Sequence, residues 1–143
     1  MFLIFAGILA LVVAVDAYRR RDQWILWGFG TFILAVVAMP LWYAKRPLLP
    51  GERREGGTGW NFLKNFAILW TIVMLTATVW STIGMGSVAA SAKSDAELAG
   101  AGLGMIFGYG MLGALWFFPV LGSLVLGLLI KKNSIVEVGP TTA

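Results

Sequence analysis
The chain has 143 residues, is 59% hydrophobic and 13% charged, and contains no Cys and no His. Water-soluble domains run at about 45–50% apolar and about 25% charged, so lipid is the expected solvent for most of these side chains. Without Cys or His, disulfides, thiolate or imidazole metal sites, histidine haem ligation and imidazole acid–base catalysis are excluded; the net charge of +4 lies in clusters beside apolar runs, not on a face suited to nucleic acid.

The first apolar run, MFLIFAGILALVVAV, is expected to cross a membrane over residues 1–18, with Asp16 to Tyr18 near the headgroups. Val15-Asp16-Ala17 also fits a signal-peptide cleavage site. No basic segment precedes the run, however, and Arg19, Arg20 and Arg21 follow it, so a retained helix is the reading. Asp16 lies three and four residues before Arg19 and Arg20, the helical spacing of an ion pair. A lone acidic residue in a first helix also suits proton-coupled export, a role those arginines oppose.

The second run, WILWGFGTFILAVVAMPLWY, predicts a span over 24–43, with Tyr18, Trp24 and Trp27 marking one interface and Trp42, Tyr43 and Trp60 the other. The basic loop 44–61, AKRPLLPGERREGGTGWN, is broken by Pro47, Pro50-Gly51 and Gly56-Gly57. Its Arg53, Arg54 and Trp60, with Lys64 just beyond, read as a solvated juxtamembrane loop. The more specific alternatives are a site for lipid phosphate or a docking point for a partner protein.

The third run predicts a span over 64–88. Thr71, Thr78 and Thr82 share one side of it. Each hydroxyl is expected to bond its own i−4 carbonyl; an interhelical contact or the polar wall of a pore is the alternative. Ser94-Asp95-Ala96-Glu97 fits a capping box opening the last helix, so the last two helices are expected to form a tight antiparallel hairpin.

The fourth span, 98–130, is free of charge and rich in glycine. On a helix Gly100, Gly104 and Gly108 fall on one face, and Gly102 and Gly113 on nearly the opposite one. Small residues at four-residue spacing let helix backbones approach closely in lipid, where no hydrophobic force drives association. Contact within the chain, contact with another subunit, or an unwound segment would each use them. From Ser94 to Ile130 is about 36 residues, roughly 54 Å of helix against about 30 Å of hydrocarbon, so tilt, protrusion or a break is required. Pro119 is the expected kink. The tail 131–143 is expected to be loose.

Together these features predict an all-α, integral membrane four-helix (four-span) bundle forming one domain. No ionisable residue interrupts the middle of a run, as proton relays and intramembrane enzymes require. The expected function is therefore non-enzymatic: an accessory or structural subunit of a membrane complex, needing no metal or cofactor. Its expected partners are membrane lipids and other membrane subunits or itself. The alternative is a small homo-oligomeric channel, holin-like pore or exporter. Lys45, Arg46, Arg53, Arg54, Lys64, Lys131 and Lys132 on one side, against Arg19, Arg20, Arg21 and Lys93 on the other, favour N-in and C-in across the cell (inner) membrane.

Overall fold
A computed structural model describes residues 2–141; Met1 of the first expected span and residues 142–143 of the tail lie outside the described residues. The elements run α1 (Phe2–Arg19), α2 (Trp24–Ile33), α3 (Ala35–Lys45), β1 (Arg53–Gly56), α4 (Gly57–Ala90), α5 (Asp95–Ile130) and β2 (Lys132–Val138). The architecture is helical, with one two-stranded ribbon added. The chain divides into two compact units: one holds everything through Leu69 and the stretch from Ser123 onward, and the other is Trp70–Gly122.

In the first unit α1 stops in a Schellman motif. The Asp22 N–H donates to Ala17 O (3.0 Å) and the Arg21 N–H to Tyr18 O (3.1 Å), the two bonds that define this cap. Arg21 takes the left-handed conformation (φ 56°) that glycine usually supplies there. The chain then reverses and α2 packs against α1 through small residues. A side-chain carbon on Gly28 would meet Ala14 Cβ at 3.0 Å and Ala10 O at 3.7 Å. Ala6, Val13 and Ala17 are fully buried, whereas Leu3, Ile4, Ile8 and Leu11 of the same helix are each more than half exposed. Small side chains line the seam and large apolar ones face outward, the arrangement expected of helices bathed in lipid.

The second expected span is not a straight crossing. It is two short helices, α2 and α3, separated at Leu34 (φ −120°, ψ 44°). A continuous helix would hold Trp27 and Trp42 about 22 Å apart, but their ring centroids are 4.9 Å apart. Trp42 is buried in a cluster with Val13 and Ala17, with Met39 and Tyr43 packed around it. Thus α3 returns alongside α2 to the end of α1 from which α2 set out. Pro40 lies inside α3, where its missing N–H denies Val36 O a helical bond and weakens the continuous helix. Gly28 and Gly30 weaken α2 in the same sense.

The loop is also shorter than 44–61. Arg53–Gly56 pair antiparallel with the tail, placing Arg53 opposite Val138, Arg54 opposite Glu137 and Glu55 opposite Val136 before a bulge sets Gly56 opposite Lys132. The expected loose tail is therefore a strand, because Ile135, Val136 and Val138 are strong strand formers and find a partner edge. Gly51, Gly56 and Gly57 have φ between 80° and 87°, as the sharp entry into α4 requires.

In the second unit α4 and α5 run antiparallel, joined through Ser91–Ser94. The capping box forms: Ser94 Oγ accepts from the Glu97 N–H (3.3 Å), while the Glu97 carboxylate accepts from the Lys93 N–H (2.7 Å), one residue further back than the motif's usual donor. Pro119 does not break α5, which is continuous from Asp95 to Ile130. The carbonyl that proline leaves without its helical donor is that of Leu115. It accepts instead from Trp70 Nε1 of α4 at 2.9 Å. An indole on the neighbouring helix thus replaces the lost backbone bond.

This substitution is testable as a double-mutant cycle. Trp70→Phe should lower stability in detergent by about 1 kcal/mol, the net worth of the hydrogen bond it removes. In a Pro119→Ala background, where residue 119 regains its N–H, the same change should cost markedly less. Equal losses in both backgrounds would show that Trp70 acts only by packing.

Candidate functional site
A polar cavity of about 580 Å³ lies in the first unit, where the end of α3, the ribbon, the start of α4 and the end of α5 converge. A partly buried ionic network sets its frame. The Asp16 carboxylate accepts from Arg20 Nε (3.0 Å), Trp42 Nε1 (2.8 Å) and Arg46 (3.0 Å). Arg20, its side chain 3% exposed, also donates two bonds to Glu52 (2.6 and 2.8 Å) and one to Pro47 O. Glu52 caps its own loop by accepting from the Leu49 N–H at 2.9 Å. The charges at the end of α1, the end of α3 and the following loop are thereby fixed to one another. Of the two arginines in helical register with Asp16, Arg20 makes the pair.

Bonding to Arg20 is the largest influence on Glu52 and, with the Leu49 N–H and the nearby Arg46, holds its carboxyl at about 2, below its ordinary 4.5, against a smaller opposing effect of burial. Arg20, bonded to Glu52 and then Asp16, is held still more firmly protonated than a free arginine.

The ribbon forms the second wall. Arg54 donates from Nε to Glu137 (2.8 Å), with a second, shorter bond from its terminal nitrogen, and reaches Arg46 O at 3.2 Å. Arg53 lies further out, paired with Glu55 at 2.8 Å with both side chains more than half exposed; such a pair contributes little to stability. Asn61 is buried and donates to Glu55 O (2.9 Å) and Gly57 O (2.8 Å), fastening β1 to the first turn of α4. Trp60 packs against Gly127 of α5, where a side-chain carbon would sit 2.9 Å from the indole. Lys131 Nζ lies over the Trp60 ring, 5.3 Å from its centroid, a cation–π geometry.

The sequence-derived loop residues Arg53, Arg54, Trp60 and Lys64 all line this cavity, joined by Tyr43, Arg46, Glu52, Asn61 and Lys131. Arg46, Arg53 and Arg54 each have a carboxylate partner. Among the described residues, Lys64 and Lys131 have none. Sequence reasoning missed Arg46 and Lys131 because the ribbon that gathers them joins segments far apart in the chain. The visible signal was the β-branched run Ile135, Val136 and Val138.

The threonine stripe belongs to the second unit. Thr78 and Thr82 donate to their i−4 carbonyls, Met74 O (2.9 Å) and Thr78 O (2.8 Å). Thr82 also accepts from the Tyr109 hydroxyl (2.8 Å), and Thr71 accepts from Trp116 Nε1 (3.1 Å). The stripe therefore combines i−4 bonding with interhelical contact. The five α5 glycines singled out from the sequence are more open. A side-chain carbon at Gly100, Gly102 or Gly113 would meet no described atom within 4 Å, and one at Gly104 or Gly108 would meet only the tip of Met85, at 4.0 and 3.7 Å. Close helix approach occurs instead at Gly28, between α1 and α2.

Compared with known protein families, curated proteins and solved structures, the chain matches none of them.

The Arg20–Glu52 linkage gives a signed pH dependence. The depressed carboxyl contributes stability that is fully present above about pH 4.5 and is lost as pH falls toward about 2. Unfolding midpoints of the wild type and Glu52→Gln should differ at pH 7 and converge as pH falls through this window. A difference that stays constant down to pH 2 would show that the carboxylate's charge is not what matters.

Proposed function
We propose that the chain is a non-enzymatic multi-pass membrane protein acting as an accessory or structural subunit, with α4 and α5 as its partner-facing hairpin. The observation that carries this reading is how bare those helices are. They are 34 and 36 residues long and apolar enough to cross a membrane, yet only 17% of α4's most apolar stretch and 11% of α5's is buried. Phe107, Phe118 and Leu129 are each more than two-thirds exposed. Beside these large side chains Gly100, Gly102 and Gly113 of α5 leave shallow faces that no described atom fills, and small-residue faces of this kind are where membrane helices associate.

The folded-back α2–α3 pair supports a crossing pattern different from four straight spans. In this reading α1, α4 and α5 cross, while α2 and α3 each run about 15 Å, half the hydrocarbon thickness, and return. The arginine triplet after α1 then shares a side with the loop after α3, to which Arg20 is bonded through Glu52. Every Lys and Arg except Lys93, in the α4–α5 turn, falls on that side. On this reading the split between two basic faces that four spans would impose disappears, and the positive-inside rule favours N-out and C-in in the cell membrane.

The channel or exporter alternative draws less support. Both oxygens of Asp16 are engaged by arginine or tryptophan donors, and Thr78 and Thr82 donate their hydroxyl protons to the helix backbone.

Two experiments test the proposal. The chain has no native Cys, so Gln23→Cys, Arg53→Cys and Ala92→Cys can be labelled singly with a membrane-impermeant maleimide on intact cells. Only Ala92→Cys should react; reaction of Gln23→Cys together with Ala92→Cys would restore four spans. For the subunit role, purification in mild detergent should give one larger assembly. Gly104→Leu should dissolve it while shifting the chain's own unfolding midpoint little, because the position is exposed and a side-chain carbon there would meet only the tip of Met85, at 4.0 Å. An assembly untouched by Gly108→Leu and Gly104→Leu would count against the glycine faces as the contact.

A further inference from the structure
Within this membrane reading, on which the inference rests, we propose that the cavity between the ribbon and the ends of α3, α4 and α5 binds the phosphate group of an anionic lipid, with Lys64 and Lys131 as the charged ligands. Its volume of about 580 Å³ falls within the range of small-molecule sites, about 300–1,000 Å³. Its basic side chains divide into two groups. Arg46, Arg53 and Arg54 are committed to Asp16 and Glu52, to Glu55 and to Glu137. Those pairs build the walls and neutralise them.

Lys64 and Lys131 line the same cavity from α4 and from the residue after α5, and neither has a carboxylate partner among the described residues. Both are solvent-accessible, so neither amine has paid the cost of burial. Two ammonium groups without a carboxylate partner, lining one polar cavity, fit a compact anion.

The surroundings select a lipid as the source of that anion. Immediately before Lys131, the last turn of α5 presents Leu128, Leu129 and Ile130 at 62%, 77% and 49% exposure. Trp60 lies beneath the Lys131 ammonium, and Tyr43 lines the same cavity. Trp and Tyr favour the depth at which headgroups meet acyl chains. A phospholipid satisfies both halves together, its phosphate between the lysines and its chains along α5. An acidic peptide would answer the lysines and leave Leu128 and Leu129 bare.

The test measures lipid retained by the full chain after extraction from vesicles of phosphatidylcholine and phosphatidylglycerol in equal parts, quantified by mass spectrometry. The wild type should keep phosphatidylglycerol preferentially. Lys64→Ala and Lys131→Ala together should reduce that preference by about fivefold per lysine, the usual worth of one cation near an anionic surface. Replacing both by Arg should preserve it, which reports on folding as well as charge. Lys45→Ala and Lys132→Ala, near the same face but outside the cavity, should leave the preference intact; a loss equal to that of the double variant would mean a diffuse basic surface and overturn the site. Insertion into vesicles with no preference overturns the site and leaves the membrane reading standing. Failure to enter vesicles of either lipid alone overturns both. Inorganic phosphate that binds as tightly as the lipid, and is lost in the double alanine variant, overturns the lipid assignment in favour of free phosphate.

Discussion
The grip of Asp16 on Arg20, Trp42 and Arg46 organises the first unit. A partly buried carboxylate must be compensated, and its partners come from the residue just after its own helix, from α3 and from the residue just after α3. Holding all three at once fixes where α3 must end. With α1 and α3 finishing at the same level, the chain between them has to go out and come back. The break at Leu34 is therefore the geometric counterpart of an electrostatic demand met about 18 residues later along the loop, where Glu52 takes up the other side of Arg20.

Around that polar anchor small side chains are buried and large apolar ones exposed. Ala6, Val13 and Ala17 are buried while Leu3, Ile4 and Leu11 are exposed, the reverse of a water-soluble core. The same economy governs polar groups in the second unit. Leu115 O, without its helical donor because of Pro119, is served by Trp70, and the hydroxyls of Thr78 and Thr82 are served by their own helix. Thr31 is the contrast. It is fully buried, and its hydroxyl has no hydrogen-bond partner among the described residues.

The helical class was legible because long uncharged runs admit few alternatives, and so was the cap at Ser94, which depends on four consecutive residues. What was not legible depended on partners distant in sequence. Pro119 and Pro40 look alike in a list of residues; one helix continues because an indole on a neighbouring helix serves the freed carbonyl, while the other is preceded by a reversal. Gly28 has no repeated motif around it, yet it meets another helix closely; the conspicuous glycines of α5 meet little within the chain. Arg53, Arg54, Trp60 and Lys64 were legible as a basic aromatic group. That they share a cavity with Arg46 and Lys131 required the ribbon, whose second strand is written in three β-branched residues near the end of the chain.

The ribbon also imposes an order on biogenesis. Arg54 and Glu137 are 83 residues apart, and everything between them must leave the ribosome before they can meet. Until then β1 is an edge without a neighbour, and an unpaired edge invites other chains. Closure of the strand pair is consequently a late, non-local event, like fastening a clasp once both long helices have been made. Gly139 completes it, its N–H donating to Glu52 O on a backbone too close to Leu49 for any side chain to fit.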